Sequence, residues 1–169
     1  MWARPLQVTE GSERNAMMKK HILFVCTGNT CRSPMAEALF SRILNEEGYA
    51  DGYSCSSAGI YAFEGDPASV EARNVIREYG LDLTEHYARV LDDKAIRNAY
   101  LLLTMTGDHK RMILEVYPEA ADKVFTLKEY AGYKRGNWDI HDPFGYDEKV
   151  YRACVQELEA VLHKILDKL

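Results

Sequence analysis

Cys26 and Arg32 stand with five residues between them in the stretch Cys26-Thr27-Gly28-Asn29-Thr30-Cys31-Arg32-Ser33, a spacing suited to a loop that grips a phosphoryl group around a nucleophile. A phosphoryl dianion needs several converging donors and a nucleophile aimed at phosphorus. A chain curling from Cys26 to Arg32 can turn the backbone N–H groups of Thr27, Gly28, Asn29, Thr30 and Cys31 inward as an anion nest. Arg32 can fork across two phosphoryl oxygens, a geometry that lysine lacks. Gly28 and Asn29 tolerate the left-handed backbone of a tight loop. The same donors should hold Cys26 as a thiolate, with a pKa below the value of about 8.5 for a free cysteine. Ser33 can donate to that thiolate and later to the departing sulfur.

Displacing a poor leaving group also requires a proton donor, a role suited to a carboxyl group. Asp142, in Asp139-Ile140-His141-Asp142-Pro143-Phe144-Gly145, sits in a polar turn-forming segment able to reach the loop, with Asp139 as the alternative. His141 and Trp138 could line the pocket, although packing within their own loop is the more ordinary role.

These residues need elements to hold them. The continuous apolar run His21 to Val25 reads as a buried strand ending at Cys26. Ser33 is expected to cap the next helix, with Pro34 at its first position, an apolar face of Met35, Leu39 and Ile43, and Gly48 beyond its end. Further strands are expected over Tyr53–Ala58, Tyr100–Met105 and Lys123–Leu127. Helices are expected from Asp66-Pro67 to Gly80, from Asp108 to Val116, and from Asp147 to the end. The last carries Tyr151, Val155, Leu158, Leu162, Ile165 and Leu169 on one stripe. Alternation of strands and helices predicts an α/β fold of three layers, a four-stranded parallel sheet with helices on both faces. Ligands of such folds bind at the carboxyl ends of the strands, where the Cys26 loop leaves.

The 169 residues, 47% hydrophobic and 28% charged, fit one folded domain over 20–169 preceded by a flexible tail over 1–19, with Met17 or Met18 a natural start of the folded unit. A net charge of −5 gives no support to a nucleic-acid or anionic-membrane surface, and no stretch is long and apolar enough to span a bilayer. The cysteines at 26, 31, 55 and 154 and the scattered histidines lack metal-ligand spacing, so no metal or other cofactor is expected. A reducing cytoplasm and a monomer are the expected setting. Cys31 could form a reversible disulfide with Cys26 across the curved loop and shield the nucleophile from overoxidation.

The phosphate loop, Ser57-Ala58-Gly59, His86-Tyr87-Ala88-Arg89 and the Asp-Pro loop together resemble the low-molecular-weight protein tyrosine phosphatase family, over nearly all of the chain from His21 onward. The resemblance implies a flavodoxin-like fold and metal-free catalysis through a phosphocysteine. Cys26 would be the nucleophile, Arg32 the phosphate clamp, Ser33 the thiolate donor and Asp142 the acid that later activates water. Asn29 would hold the loop's shape, supported by Ser57 and His86.

Two departures bear on substrate. Thr30 stands where the tyrosine phosphatases usually carry an aliphatic residue, and Phe144-Gly145 follows the Asp-Pro pair in place of tyrosines, although Tyr146 could still stack on an aromatic substrate. Both features are similar to the bacterial protein arginine phosphatase branch, which implies phosphorylated proteins as partners and a stress-response role in a Gram-positive bacterium. A hydroxyl at Thr30 offers a guanidinium a polar partner that isoleucine could not. The alternatives are a tyrosine phosphatase, an arsenate reductase and a non-catalytic phosphate-binding module. Arsenate reductases pass a disulfide outward through additional cysteines; here only Cys55 and Cys154 lie beyond the loop, far apart.

Overall fold

The computed structural model of the chain describes residues 19–169. The flexible tail expected over 1–19 falls outside those residues, Lys19 excepted.

The first strand, β1 (Lys20–Cys26), is buried from Ile22 through Cys26 and lies inside a four-stranded sheet. Its neighbours are β2 (Tyr53–Gly59) on one side and β3 (Leu101–Thr104) on the other, with β4 (Val124–Thr126) beyond β3; all pairings are parallel. A strand covered on both faces needs apolar residues at every position rather than at alternate ones, and Ile-Leu-Phe-Val supplies them. Ile22, Phe24 and Cys26 enter the core under one helical layer, and Leu23 and Val25 enter the core under the other. The three layers follow from that division.

One layer holds α1 (Arg32–Glu46), α2 (Val70–Arg77) and α6 (Glu148–Leu166), whose Tyr151, Val155, Leu158, Leu162 and Ile165 are buried against it. The opposite layer draws Ile96 from α3 (Asp93–Asn98) and Ile113 from α4 (Gly107–Val116). A short α5 (Leu127–Tyr130) follows β4 directly, opened by a capping box between Thr126 and Glu129.

Two helix starts differ from expectation. Ser33 lies within the first turn of α1 rather than capping it; Cys31 occupies the cap position without a side-chain hydrogen bond. Ser33 is thereby freed to face the sulfur of Cys26. The second helix begins at Val70, not at Asp66-Pro67, because the Ser69 hydroxyl accepts from Ala72 N and caps it. Pro67 restricts Asp66 before it, and the segment instead forms a loop bonded to residues 87–88.

The register places the site. Cys26 pairs with Gly59 at the carboxyl end of β1, and Val25 pairs with Thr104. The loop after β1 therefore opens on the rim where the segments following β2 and β3 also emerge.

Candidate active site

Asn29 holds the loop in shape. Its φ of 56° is in the left-handed region, and it is the one non-glycine residue there among the described residues. Its fully buried side chain offsets that strain with three bonds. The amide nitrogen donates to Ser33 Oγ at 2.8 Å and to Ser57 Oγ at 2.9 Å, and the side-chain oxygen accepts from Arg89 N at 3.0 Å. The Asn29 carbonyl accepts from His86 Nε2 at 2.8 Å, which fixes the His86 tautomer. Ser57 in turn donates to Glu37 Oε2 at 2.5 Å.

Gly59 is required by space. A Cβ there would stand 2.5 Å from the Thr27 carbonyl oxygen and 2.9 Å from Asn29 N. The backbones of β2 and the loop could not approach so closely around a side chain.

The sulfur of Cys26 lies at the focus of these donors. Because Ser33 Oγ accepts from Asn29, its own proton is free for Cys26 Sγ at 2.9 Å, and Asn29 N donates to the same sulfur at 3.2 Å. Burial pushes the Cys26 thiol up from its ordinary value, while the Ser33 hydroxyl and amide, the Arg32 guanidinium and the Asn29 amide pull it down. The low pKa expected from the sequence is thus corrected: burial is the largest single influence on Cys26, and the donors work against it.

Arg32 is 5% exposed, and its Nη1 donates to the Ile140 carbonyl at 2.9 Å. Its Nη2 stands 3.4 Å from Asp142 Oδ2, whose side chain is 51% exposed. The other oxygen of Asp142 accepts from Phe144 N at 3.1 Å, so the Asp-Pro loop folds back on its own carboxylate. Asp139, the alternative acid, is engaged elsewhere: its Oδ1 accepts from Gly107 N at the start of α4, 2.8 Å away.

A cavity of about 340 Å³ opens over the loop. Cys26, Thr27, Gly28, Thr30, Cys31 and Arg32 line it from the loop, and Tyr61, Phe63, Asp66, Asp142 and Phe144 complete the wall. The structure thus brings Cys26, Arg32, Asp142, Thr30 and Phe144 into one pocket, with Ser33, Asn29, Ser57 and His86 behind it. His141 borders an adjoining cavity and packs on Tyr146, while Trp138 donates to the Tyr133 carbonyl; neither lines the pocket over Cys26.

Several contributors were not singled out from the sequence. Glu37 lies one helical turn after Ser33, a spacing that could have flagged it. His109 Nε2 pairs with Thr27 Oγ1 at 2.8 Å, and its Nδ1 is buried without a partner. Burial first, and then Arg32, brings His109 down to about 4. Cys31 is held by Tyr151 Oη at 3.2 Å, and Ser69 Oγ also reaches that phenol at 3.2 Å. All four cysteines are free thiols, and burial pushes Cys55 and Cys154 up to about 12. Neither Cys55 nor Cys154 lines the pocket over Cys26, so the outward thiol relay of an arsenate reductase finds no support in the lining of that pocket.

Known proteins similar to this chain identify its family. The family described as "Low molecular weight phosphotyrosine protein phosphatase" matches residues 21–169. The chain belongs to this family. A protein-arginine-phosphatase of Geobacillus stearothermophilus is 46% identical over 152 residues, covering 90% of this chain and 97% of that protein. Among solved structures, a low molecular weight protein tyrosine phosphatase from T. tengcongensis superposes with a TM-score of 0.83 at 43% identity, covering 89% of this chain and all of that one. A YwlE arginine phosphatase, as a cysteine-to-serine mutant with a phosphorylated active site serine, gives 0.82 at 40% identity, covering 88% of this chain and 95% of that one. These relatives carry both substrate names, and the α/β fold is common to them and this chain.

Proposed function

We infer that this protein is a protein arginine phosphatase, removing phosphate from phosphoarginine side chains through a phosphocysteine. The observation that carries the reading is Thr30 on the wall of the pocket that also holds Cys26, Arg32 and Asp142. A hydroxyl can accept a hydrogen bond from a guanidinium N–H, while an aryl ring presents no such donor. The 46% identical relative named protein-arginine-phosphatase supports it.

In the first step, the Cys26 thiolate attacks phosphorus opposite the scissile nitrogen, and the S–P bond forms as the N–P bond breaks. The nitrogen keeps the electron pair and takes a proton from the Asp142 carboxyl. Arg32 and the loop amides gather the equatorial oxygens, where charge concentrates. In the second step, Asp142, now a carboxylate, removes a proton from water as it attacks phosphorus. The S–P bond breaks, and Ser33 and Asn29 N receive the returning thiolate.

A tyrosine phosphatase is the second reading, favoured by Tyr61, Phe63 and Phe144, which could flank an aryl ring. Measurement of kcat/KM on matched phosphoarginine and phosphotyrosine peptides separates the two. A preference for phosphoarginine that collapses in Thr30→Ile establishes the arginine reading, and a wild-type preference for phosphotyrosine refutes it.

The proposal extends to setting and control. Free thiols suit a reducing cytoplasm, and the relative named protein-arginine-phosphatase supports phosphorylated proteins as substrates. Under peroxide, Cys26 would become a sulfenic acid that condenses with Cys31, losing water and forming a reducible disulfide.

A further inference from the structure

The pocket over Cys26 is lined by two carboxylates, and only one has a place in the chemistry described above. Asp142 is already engaged with Arg32 and Phe144 N. Asp66 lines the same pocket, and among the described residues its carboxylate takes part in no ion pair or side-chain hydrogen bond.

Its backbone, by contrast, is held firmly. Asp66 N donates to the Phe63 carbonyl at 3.1 Å, and its carbonyl accepts from Ala88 N at 2.8 Å. Gly65 N reaches the Ala88 carbonyl at 2.9 Å, and Pro67 forms an antiparallel bridge with Tyr87. Ser69 N donates to the Thr30 carbonyl at 2.9 Å, tying the end of this loop to the phosphate loop. Asp66 therefore keeps a fixed relation to Thr30, with little beyond its own two side-chain torsions left free. Asp66 is exposed on the open wall of the cavity, yet its backbone is fixed, and a carboxylate held rigidly beside a ligand pocket calls for an account.

The shape of the substrate supplies the account. A phosphorylated guanidinium is a planar cation bearing phosphorus on one terminal nitrogen. The other terminal nitrogen and the Nε–H present donors along the remaining edges. With the phosphoryl group in the loop, Asp142 serves the scissile nitrogen and Thr30 offers its hydroxyl. The edges away from the scissile bond still need an acceptor, and Phe63 and Phe144 on the same wall offer flat faces for the cation. A phenol ester in the same position would place carbon beside the exposed Asp66 carboxylate and offer it no donor.

We propose that Asp66 is a specificity-determining residue, accepting guanidinium N–H groups on the edges away from the scissile bond and disfavouring aryl phosphates. The assignment rests on the arginine phosphatase reading.

The test compares wild type with Asp66→Asn on phosphoarginine and phosphotyrosine peptides of identical flanking sequence, with urea unfolding as a check on folding. The expected result is a fall of about tenfold in the ratio of kcat/KM for phosphoarginine to that for phosphotyrosine, the loss of one charge-assisted hydrogen bond, expressed mainly as a higher KM for phosphoarginine. An equal loss on both peptides, or a ratio that does not move, overturns the assignment to Asp66. A wild-type enzyme that prefers phosphotyrosine fails earlier, before the variant is read, and overturns the arginine phosphatase reading itself.

Discussion

Arg32 and Asp142 face each other across the floor and the open side of one pocket, 3.4 Å apart, the first buried and the second half in water. The pairing has a use beyond attraction. The buried guanidinium is anchored on the Ile140 carbonyl, so it remains in place for phosphate whatever the carboxyl group does. The carboxyl group accepts from Phe144 N and faces Arg32, and its half-exposed side chain stands open to the substrate's leaving group and to water.

Asp142→Asn should therefore separate binding from proton transfer. The amide keeps an oxygen for Phe144 N but can neither donate a proton as an acid nor accept one as a base. Turnover of a phosphoarginine peptide should fall by about 10²- to 10³-fold with little change in KM, the range usual for a general acid. A substrate with a good leaving group should lose less in the first step. Burst kinetics with such a substrate check this, and wild-type turnover in the variant would remove Asp142 from the reaction.

Gly59 offers a steric test of the same loop. In Gly59→Ala the new methyl would meet the Thr27 carbonyl oxygen at 2.5 Å and Ala62 Cβ at 2.9 Å. The loop must shift, so kcat/KM should drop at least about tenfold and stability by about 1–3 kcal/mol, as for other overpacked sites. Urea unfolding and steady-state kinetics on one preparation measure both, and a fully active, fully stable variant would contradict the described contact.

Acid stability should respond to His109. In the unfolded chain an ordinary histidine binds a proton below about 6.5, whereas the folded chain withholds it until about 4. The unfolded state gains protons first, so stability is lost as pH falls through that window, with a slope of up to about 1.4 kcal/mol per pH unit. Burial and Arg32 drive the effect, and Asp108, Asp139 and Asp142 oppose it. His109→Gln keeps a hydrogen-bond partner for Thr27 and should flatten the slope between pH 6.5 and 4 in urea-unfolding series. The flattening is partial, because burial holds His21 down as well and adds a loss of the same sign. Parallel slopes in the two proteins would show that His109 does not carry the effect.

How much of this was legible depended on whether residues acted within one stretch of chain. Cys26 to Ser33 could be read because the nest, the clamp and the helix start are contiguous, and β1 because both of its faces are buried. The long apolar stripe of α6 was equally plain. The short α3 was missed because six residues give too little periodicity, although Asp92 caps it. Asp66-Pro67 reads as a helix start because the sequence does not show that Ser69 caps instead and leaves Asp66 on the wall of the pocket. The partnerships His109 with Thr27 and Tyr151 with Cys31 span 82 and 120 residues, so only the folded topology unites them.

The last of these contacts has a consequence in time. Tyr151 reaches Cys31 and Ser69 from the final helix. The loop is translated early, yet it lacks one of its fasteners until residues more than a hundred positions later have been made and docked. A growing chain thus carries the nucleophile long before the knot that steadies it, and the completed pocket is a property of the finished polypeptide.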